Sequence, residues 1–453
     1  MRNLTIIGLT PFEKPDVNLI LKLHQAGAFP VLSLGKDTAT AQQALNQLNH
    51  IDIPSYGIHF TTKQQDNLQI PGKVSLAIVP YGSSVNFSPE ISVIYQVTNL
   101  EEALLAQQYG AKGIIIKGNE AAGLVGYEST FILFQRIIRE VQDIPVWVQG
   151  GIGLHTAAAV KSLGAAGVIL DSQLALFPEC SVPQDVKEVC SKLNGTETKI
   201  IANHRVLVRP NSPAISDHIT SEELTAYFKD LDISSSYIPM GQDISLATDL
   251  YEDFKTLKKL VFALKEAMYG HLKQAKALHV IDKNNTIAQE LGLRYPIAQG
   301  PMTRVSDVPA FANAVAEAGA LPFVALSLLK GESAKSLVME TKKLAGEKTW
   351  GVGILGFAPQ ELREEQTSYI LEAKPPVVLI AGGRPAQAKV FEKAGIKSFL
   401  HVPSPALLDI FLKEGAKNFI FEGRECGGHV GPLSSTVLWE KQIERILKED
   451  HPE

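Results

Sequence analysis

Cysteine is scarce in this chain. Three residues, Cys180, Cys190 and Cys426, stand at irregular spacing among 453 with no CxxC pair, which excludes a disulfide framework and a thiolate zinc site. Basic blocks are also missing: 43 Lys and Arg against 48 Asp and Glu leave a formal net charge of -5, so nothing electrostatic favours nucleic acid or an anionic membrane. No apolar run reaches the length of a membrane span, and the N-terminal MRNLTIIGLTPFEKPD meets charge and proline too early for a secretory leader. What these absences leave is an untargeted, cytoplasmic chain of ordinary composition, 45% hydrophobic and 20% charged. Small-molecule or acyl-type substrates, and no metal, are the expectation.

Short apolar runs rich in β-branched residues recur: Thr5–Gly8, Val74–Val79, Ile91–Tyr95, Gly113–Lys117, Pro145–Gln149 and Gly167–Leu170. Amphipathic stretches of helical period lie between them, such as Asn99–Gly110, which ends on glycine. Continuous apolar strands alternating with helices imply a parallel sheet covered on both faces, either a (β/α)₈ barrel or a doubly wound sheet.

The pattern then restarts. His24–Pro30 is echoed by Ala316–Pro322, 292 residues on (316 minus 24), and Tyr109–Gly126 by Glu414–Gly431, 305 residues on (431 minus 126). Two copies of one domain are therefore expected: 1–200 and 291–453, joined by a helical connector at 201–290 with a long helical pattern from Leu246 to Leu278. After Pro432 only 21 residues remain (453 minus 432), enough for one helix from Ser435 to Glu449. The second copy thus reads as a barrel stopped after about six β/α units, and the chain as the front of a longer polypeptide.

Glycine clusters follow the strands: Gln299-Gly300-Pro301-Met302, the run through Gly353, Ala381–Arg384, and Cys426-Gly427-Gly428-His429. In a barrel that end of each strand faces the active site, where glycine lets a flat ring or a phosphate approach the backbone. Gly150-Gly151-Ile152-Gly153 and Ala166-Gly-Val168 read as a phosphate grip made by the last two loops, with Asp171 placed where an anion would bind. His429 is the strongest acid/base candidate, an imidazole among glycines with room for a substrate carbon. The matching position of the first copy is Leu124, which transfers no proton. Cys426 has no base nearby and reads as inert packing; His155, His204, His271, His279 and His401 carry no motif.

The second copy resembles the nitronate monooxygenase (2-nitropropane dioxygenase) family of FMN-dependent barrels, through Gln299–Met302 and Glu425–Gly431. The run on to Leu438-Trp-Glu440, with Gly241-Gln-Asp243, looks most like the versions at the front of polyketide or polyunsaturated fatty acid synthase-like proteins, whose relatives act as flavin enoyl reductases. The resemblance is closer over 290–440 than over 1–200. It implies two TIM-type barrels in tandem, FMN, and an oxidoreductase acting on a small-molecule or carrier-bound acyl substrate beside synthase partner domains. By position it implies His429 as the base, and Gln299, Gly300, Pro301, Met302, Gly353, Gly427 and Gly428 around the flavin, with Gly150, Gly151 and Gly153 as phosphate loop. The competing expectation is a non-catalytic docking barrel. A dehydrogenase with a loop cysteine nucleophile, the third option, is disfavoured by the setting of Cys426.

Overall fold

The structure is a computed structural model that describes residues 5–61, 68–83, 86–228 and 231–449, so the first four residues of the N-terminal stretch lie outside it. Eight parallel strands close a barrel in the order Ile6–Leu9, Phe29–Ser33, Tyr56–His59, Val74–Pro80, Ser92–Val97, Ile114–Lys117, Val146–Gln149 and Gly167–Leu170, the last pairing with the first. Alternation explains why these runs are apolar throughout. Ile7, Leu9, Ile78, Ile115, Trp147 and Ile169 point into the barrel, while Ile114, Ile116, Val146, Val148 and Val168 pack outward against helices. Caps fix the helix starts: the Asp16 carboxylate accepts from Leu19 N at 3.0 Å, and Asn99 Oδ1 from Glu102 N at 2.9 Å.

The chain divides into two compact units, 1–272 with 432–443, and 273–431 with 444–453. The second unit holds six parallel strands in sequential order: Ala298–Gln299, Leu321–Ala325, Gly351–Leu355, Val377–Ala381, Lys397–His401 and Phe419–Ile420. It is the same β/α repeat built as an open, curled sheet. Among the described residues no helix is long and apolar enough to cross a membrane.

Two expected boundaries move. Most of the segment read as a connector packs with the first barrel, because Leu246, Leu250, Leu257, Leu260, Leu264 and Met268 share the apolar cluster of the barrel helices. Its long helical pattern is two helices, Ala247–Phe254 and Leu257–Ala277, broken where Lys255 turns left-handed at φ 61°. The C-terminal helix, Ser435–Leu447, begins in the first unit, with Val437 and Leu438 wholly buried.

The glycines shared by both copies have a fold reason. A Cβ on Gly126 would collide with the Thr98 carbonyl oxygen, and one on Gly431 with the Pro403 carbonyl oxygen, the same contact 305 residues on (403 minus 98). Gly123 and Gly428 are likewise both left-handed, at φ 74° and 93°. Gly126→Ala and Gly431→Ala are therefore each expected to cost about 1–3 kcal/mol, because backbone has to move. Gly270→Ala, inside a helix with nothing within 4 Å, is expected to stabilise by about 0.5–1 kcal/mol. Denaturant melts of the three variants check this.

Candidate active site

Polar residues close the apolar strands of the first barrel at its C-terminal mouth: Ser33, His59, Gln96, Lys117, Gln149 and, one residue past its strand, Asp171. All six are buried. Ser33 Oγ lies 3.2 Å from His59 Nδ1, His59 Nε2 3.0 Å from Gln96 Oε1, Gln96 Nε2 2.9 Å from Gln149 Oε1, and Gln149 Nε2 2.7 Å from Asp171 Oδ2. A carboxylate only accepts, so Asp171 sets the direction of the row as far as His59. Gln149 presents its amide N–H to Asp171, Gln96 its N–H to Gln149, and His59 its Nε2–H to Gln96, while the one Ser33 hydroxyl proton has two acceptors in reach, His59 Nδ1 and the Thr10 carbonyl at 3.1 Å. Burial, with the nearby Lys117 ammonium, pushes the His59 pKa down to about 3, against a smaller opposing pull from Gln96.

Glu13 enters the same mouth from a turn in which Phe12 and Glu13 are both left-handed, at φ 59° and 55°. Two such residues in succession are strained, and strain of this kind concentrates at functional sites. Burial lifts the Glu13 carboxyl to about 7 despite the attraction of Lys117 and Lys36, and burial also lowers the Lys117 amine. The mouth is covered. Gly123–Leu124, the counterpart of Gly428-His429, pairs as a short strand with the hairpin Thr198–Ile201/His204–Leu207. From that hairpin the buried Arg205 donates through Nε to the Asn119 carbonyl.

The expected phosphate grip is present in shape. Gly153 is the N-cap of the helix Leu154–Ser162 and has no side-chain oxygen to take the first free N–H groups. Glu440 supplies it: its Oε1 accepts from His155 N at 3.1 Å and its Oε2 from Thr156 N at 2.8 Å. Thr436 and Val437 fill the space over Gly151, and Thr130 that over Gly150. The buried Glu120 accepts from Thr130 N at 2.9 Å, from Ser434 Oγ at 3.1 Å and from the Thr436 hydroxyl. Burial, with Asp171 and Glu120 close by, raises the Asp243 carboxyl well above its usual range. These residues do not fit a flavin phosphate.

In the second unit His429 is exposed and its ring lies 4.7 Å from that of Phe357. The glycines next to it in the chain have open space, since a Cβ on Gly427 or Gly428 would meet nothing within 4 Å, and the same holds at Gly300. Gln299 closes its strand, with Oε1 accepting from Phe323 N at 3.3 Å, and Met302 is exposed. Pro301 packs on Gly353, so that glycine serves a close protein contact. Cys426, expected to be packed, is exposed; burial of the thiol and the Glu422 and Glu425 carboxylates raise its pKa, so it is no thiolate. Beneath the loop lies a pair that carried no motif. The buried His401 has its Nε2 3.5 Å from Glu422 Oε2, and burial, then His429, lowers the His401 pKa. Burial raises that of Glu422.

The nitronate monooxygenase family model matches residues 84–210. The first barrel is thus similar to the nitronate monooxygenase family over this stretch. That match falls on the first copy, not on the 290–440 stretch where the resemblance looked closer. Similar solved structures include FabK from Thermotoga maritima (TM-score 0.47, 18% identity, covering 61% of this chain and 96% of that one). Nitroalkane oxidase from Streptomyces ansochromogenes gives a TM-score of 0.46 at 18% identity, over 59% of this chain and 97% of that one. The enoyl reductase domain of MlnA, from the macrolactin biosynthesis cluster of Bacillus amyloliquefaciens, gives 0.44 at 12% identity, over 60% and 95%. No curated protein sequence matches significantly.

Two of the perturbed groups of the first mouth, Glu13 and His59, act oppositely on stability. Glu13, raised from 4.5 to about 7, favours the fold fully below pH 4.5 and loses that contribution as pH rises through 7. His59, lowered from 6.5 to about 3, favours it above pH 6.5 and loses it as pH falls toward 3. Glu13→Gln is therefore expected to gain stability over the unchanged protein as pH rises between 4.5 and 7, with no further gain above. Urea melts of both proteins across that window check it.

Proposed function

We propose that the chain is an FMN-dependent oxidoreductase of the nitronate monooxygenase or enoyl reductase type, with its chemistry in the second unit. The observation that carries this reading is the setting of His429, an exposed imidazole beside glycines with vacant space, where the first copy has Leu124 tied into a strand pair. Gln299, Gly300, Pro301, Met302, Gly427 and Gly428 would line a flat ring, and Phe357 would hold the His429 imidazole on that side. The flavin, when bound, supplies hydride or electron exchange with substrate carbon. His429 takes or returns the proton alpha to a nitro or carbonyl group, a role suited to an imidazole near neutral pH. The buried His401, paired with the partly exposed Glu422, serves as a positioning element for the loop. A carrier-bound acyl chain, delivered within a synthase-like system, is the substrate class this reading favours.

The filled mouth of the first barrel supports a second reading for that barrel alone, a non-catalytic module. Purified protein supplied with FMN is expected to acquire flavin absorbance, and His429→Ala to keep the flavin while losing about 10²–10⁴-fold in turnover of a nitroalkane or an enoyl thioester. Absence of flavin binding, or intact turnover without the imidazole, sinks the catalytic reading.

A further inference from the structure

We propose that Glu440 is an internal ligand of the first barrel: its carboxylate occupies the anion cradle at the start of the helix Leu154–Ser162, and closes this barrel to phosphate-bearing ligands. The inference concerns the first barrel and stands apart from the chemistry proposed for His429.

Three independent sets of contacts make the cradle an occupied binding site. The first is the carboxylate itself, which takes two backbone N–H groups that a glycine N-cap leaves open, at 3.1 and 2.8 Å. The positive end of the helix favours negative charge there, as it would a phosphate. Glu440 is 3% exposed, and the space a side chain on Gly153 would fill is taken by its carboxylate. Burial raises its pKa, while His155 and the two N–H groups pull it back.

The second set holds the segment that carries Glu440. The Gln242 side-chain amide donates to Pro432 O at 2.8 Å and accepts from Ser434 N at 3.0 Å, reading the backbone on both sides of Leu433. Lys441 Nζ donates to Ser245 O and to Asp249 Oδ2, both at 2.8 Å. Leu433, Val437 and Leu438 are buried, and Trp439 stacks edge-on against Phe131 at 4.9 Å. The third is electrostatic. Glu120 packs over Gly150, and Asp171 acts with it on the same Asp243 carboxyl, so a phosphate entering the cradle would face these two acidic groups after displacing Glu440.

Titration calorimetry with inorganic phosphate tests this on the full chain. The unchanged protein and Glu440→Gln, whose amide still fills the site, are expected to give no binding heat. Glu440→Ala is expected to bind phosphate with a dissociation constant at least tenfold below that of either. Glu440→Ser repeats the measurement with a short polar side chain, so that a poorly folding alanine variant leaves a second one to judge by. Trp439 fluorescence, unchanged in position, reports that the segment remains docked. Phosphate binding by the unchanged protein equal to that of the variants overturns the proposal. So does a folded serine or alanine variant that takes up no phosphate.

Discussion

The first unit depends on a helix start that cannot cap itself. Gly153 offers no oxygen to the N–H groups of His155 and Thr156, and a buried helix end without acceptors costs about 1–3 kcal/mol for each group left unmade. A barrel that holds a phosphate at this place satisfies them with the ligand. Here a glutamate far along the chain does so, and its arrival brings a helix whose apolar face covers Gly151 and whose hydroxyls satisfy Glu120. One acceptor requirement thus accounts for the docking of a whole segment.

The two copies show what a fold retains when the side chains at its mouth differ. Contacts between backbones persist, as at Gly126 and Gly431, because relaxing them requires moving a strand-end loop against a carbonyl. Side chains at the mouth diverge freely. Gln96 and Lys117 of the first copy stand where His401 and Glu422 stand in the second, 305 residues on (401 minus 96), and Leu124 where His429 stands. The first mouth has become a directional row of hydrogen bonds under a hairpin. The second keeps an open face.

Much of the fold was legible because period and repeat are global signals. The run Gly167–Leu170 coincides with its strand, and Asn99 caps the helix that its apolar spacing announces. Where the connector packs was not legible, because an amphipathic helix does not say which neighbour covers its apolar face; residues of Leu257–Ala277 share the apolar cluster of the first barrel. Residues of the first mouth escaped for a different reason. Attention to glycines passes over His59, Gln96, Lys117 and Gln149, whose signal is a lone polar residue at or near the end of an apolar run, repeated strand after strand. No local pattern marks Glu440, since its partners are the N–H groups of His155 and Thr156, 285 and 284 residues earlier.

That separation has a consequence in time. A ribosome adding roughly 5–20 residues per second makes the first barrel's strands early, then 159 residues of the second unit, 273–431, before Pro432–Ile443 emerges. For roughly 8–30 s the nascent first barrel therefore holds a helix start without the Glu440 carboxylate, and a Glu120 without the Ser434 and Thr436 hydroxyls. Completion of the earlier domain waits on synthesis of the later one, so the two halves of this tandem mature together although they are made in sequence.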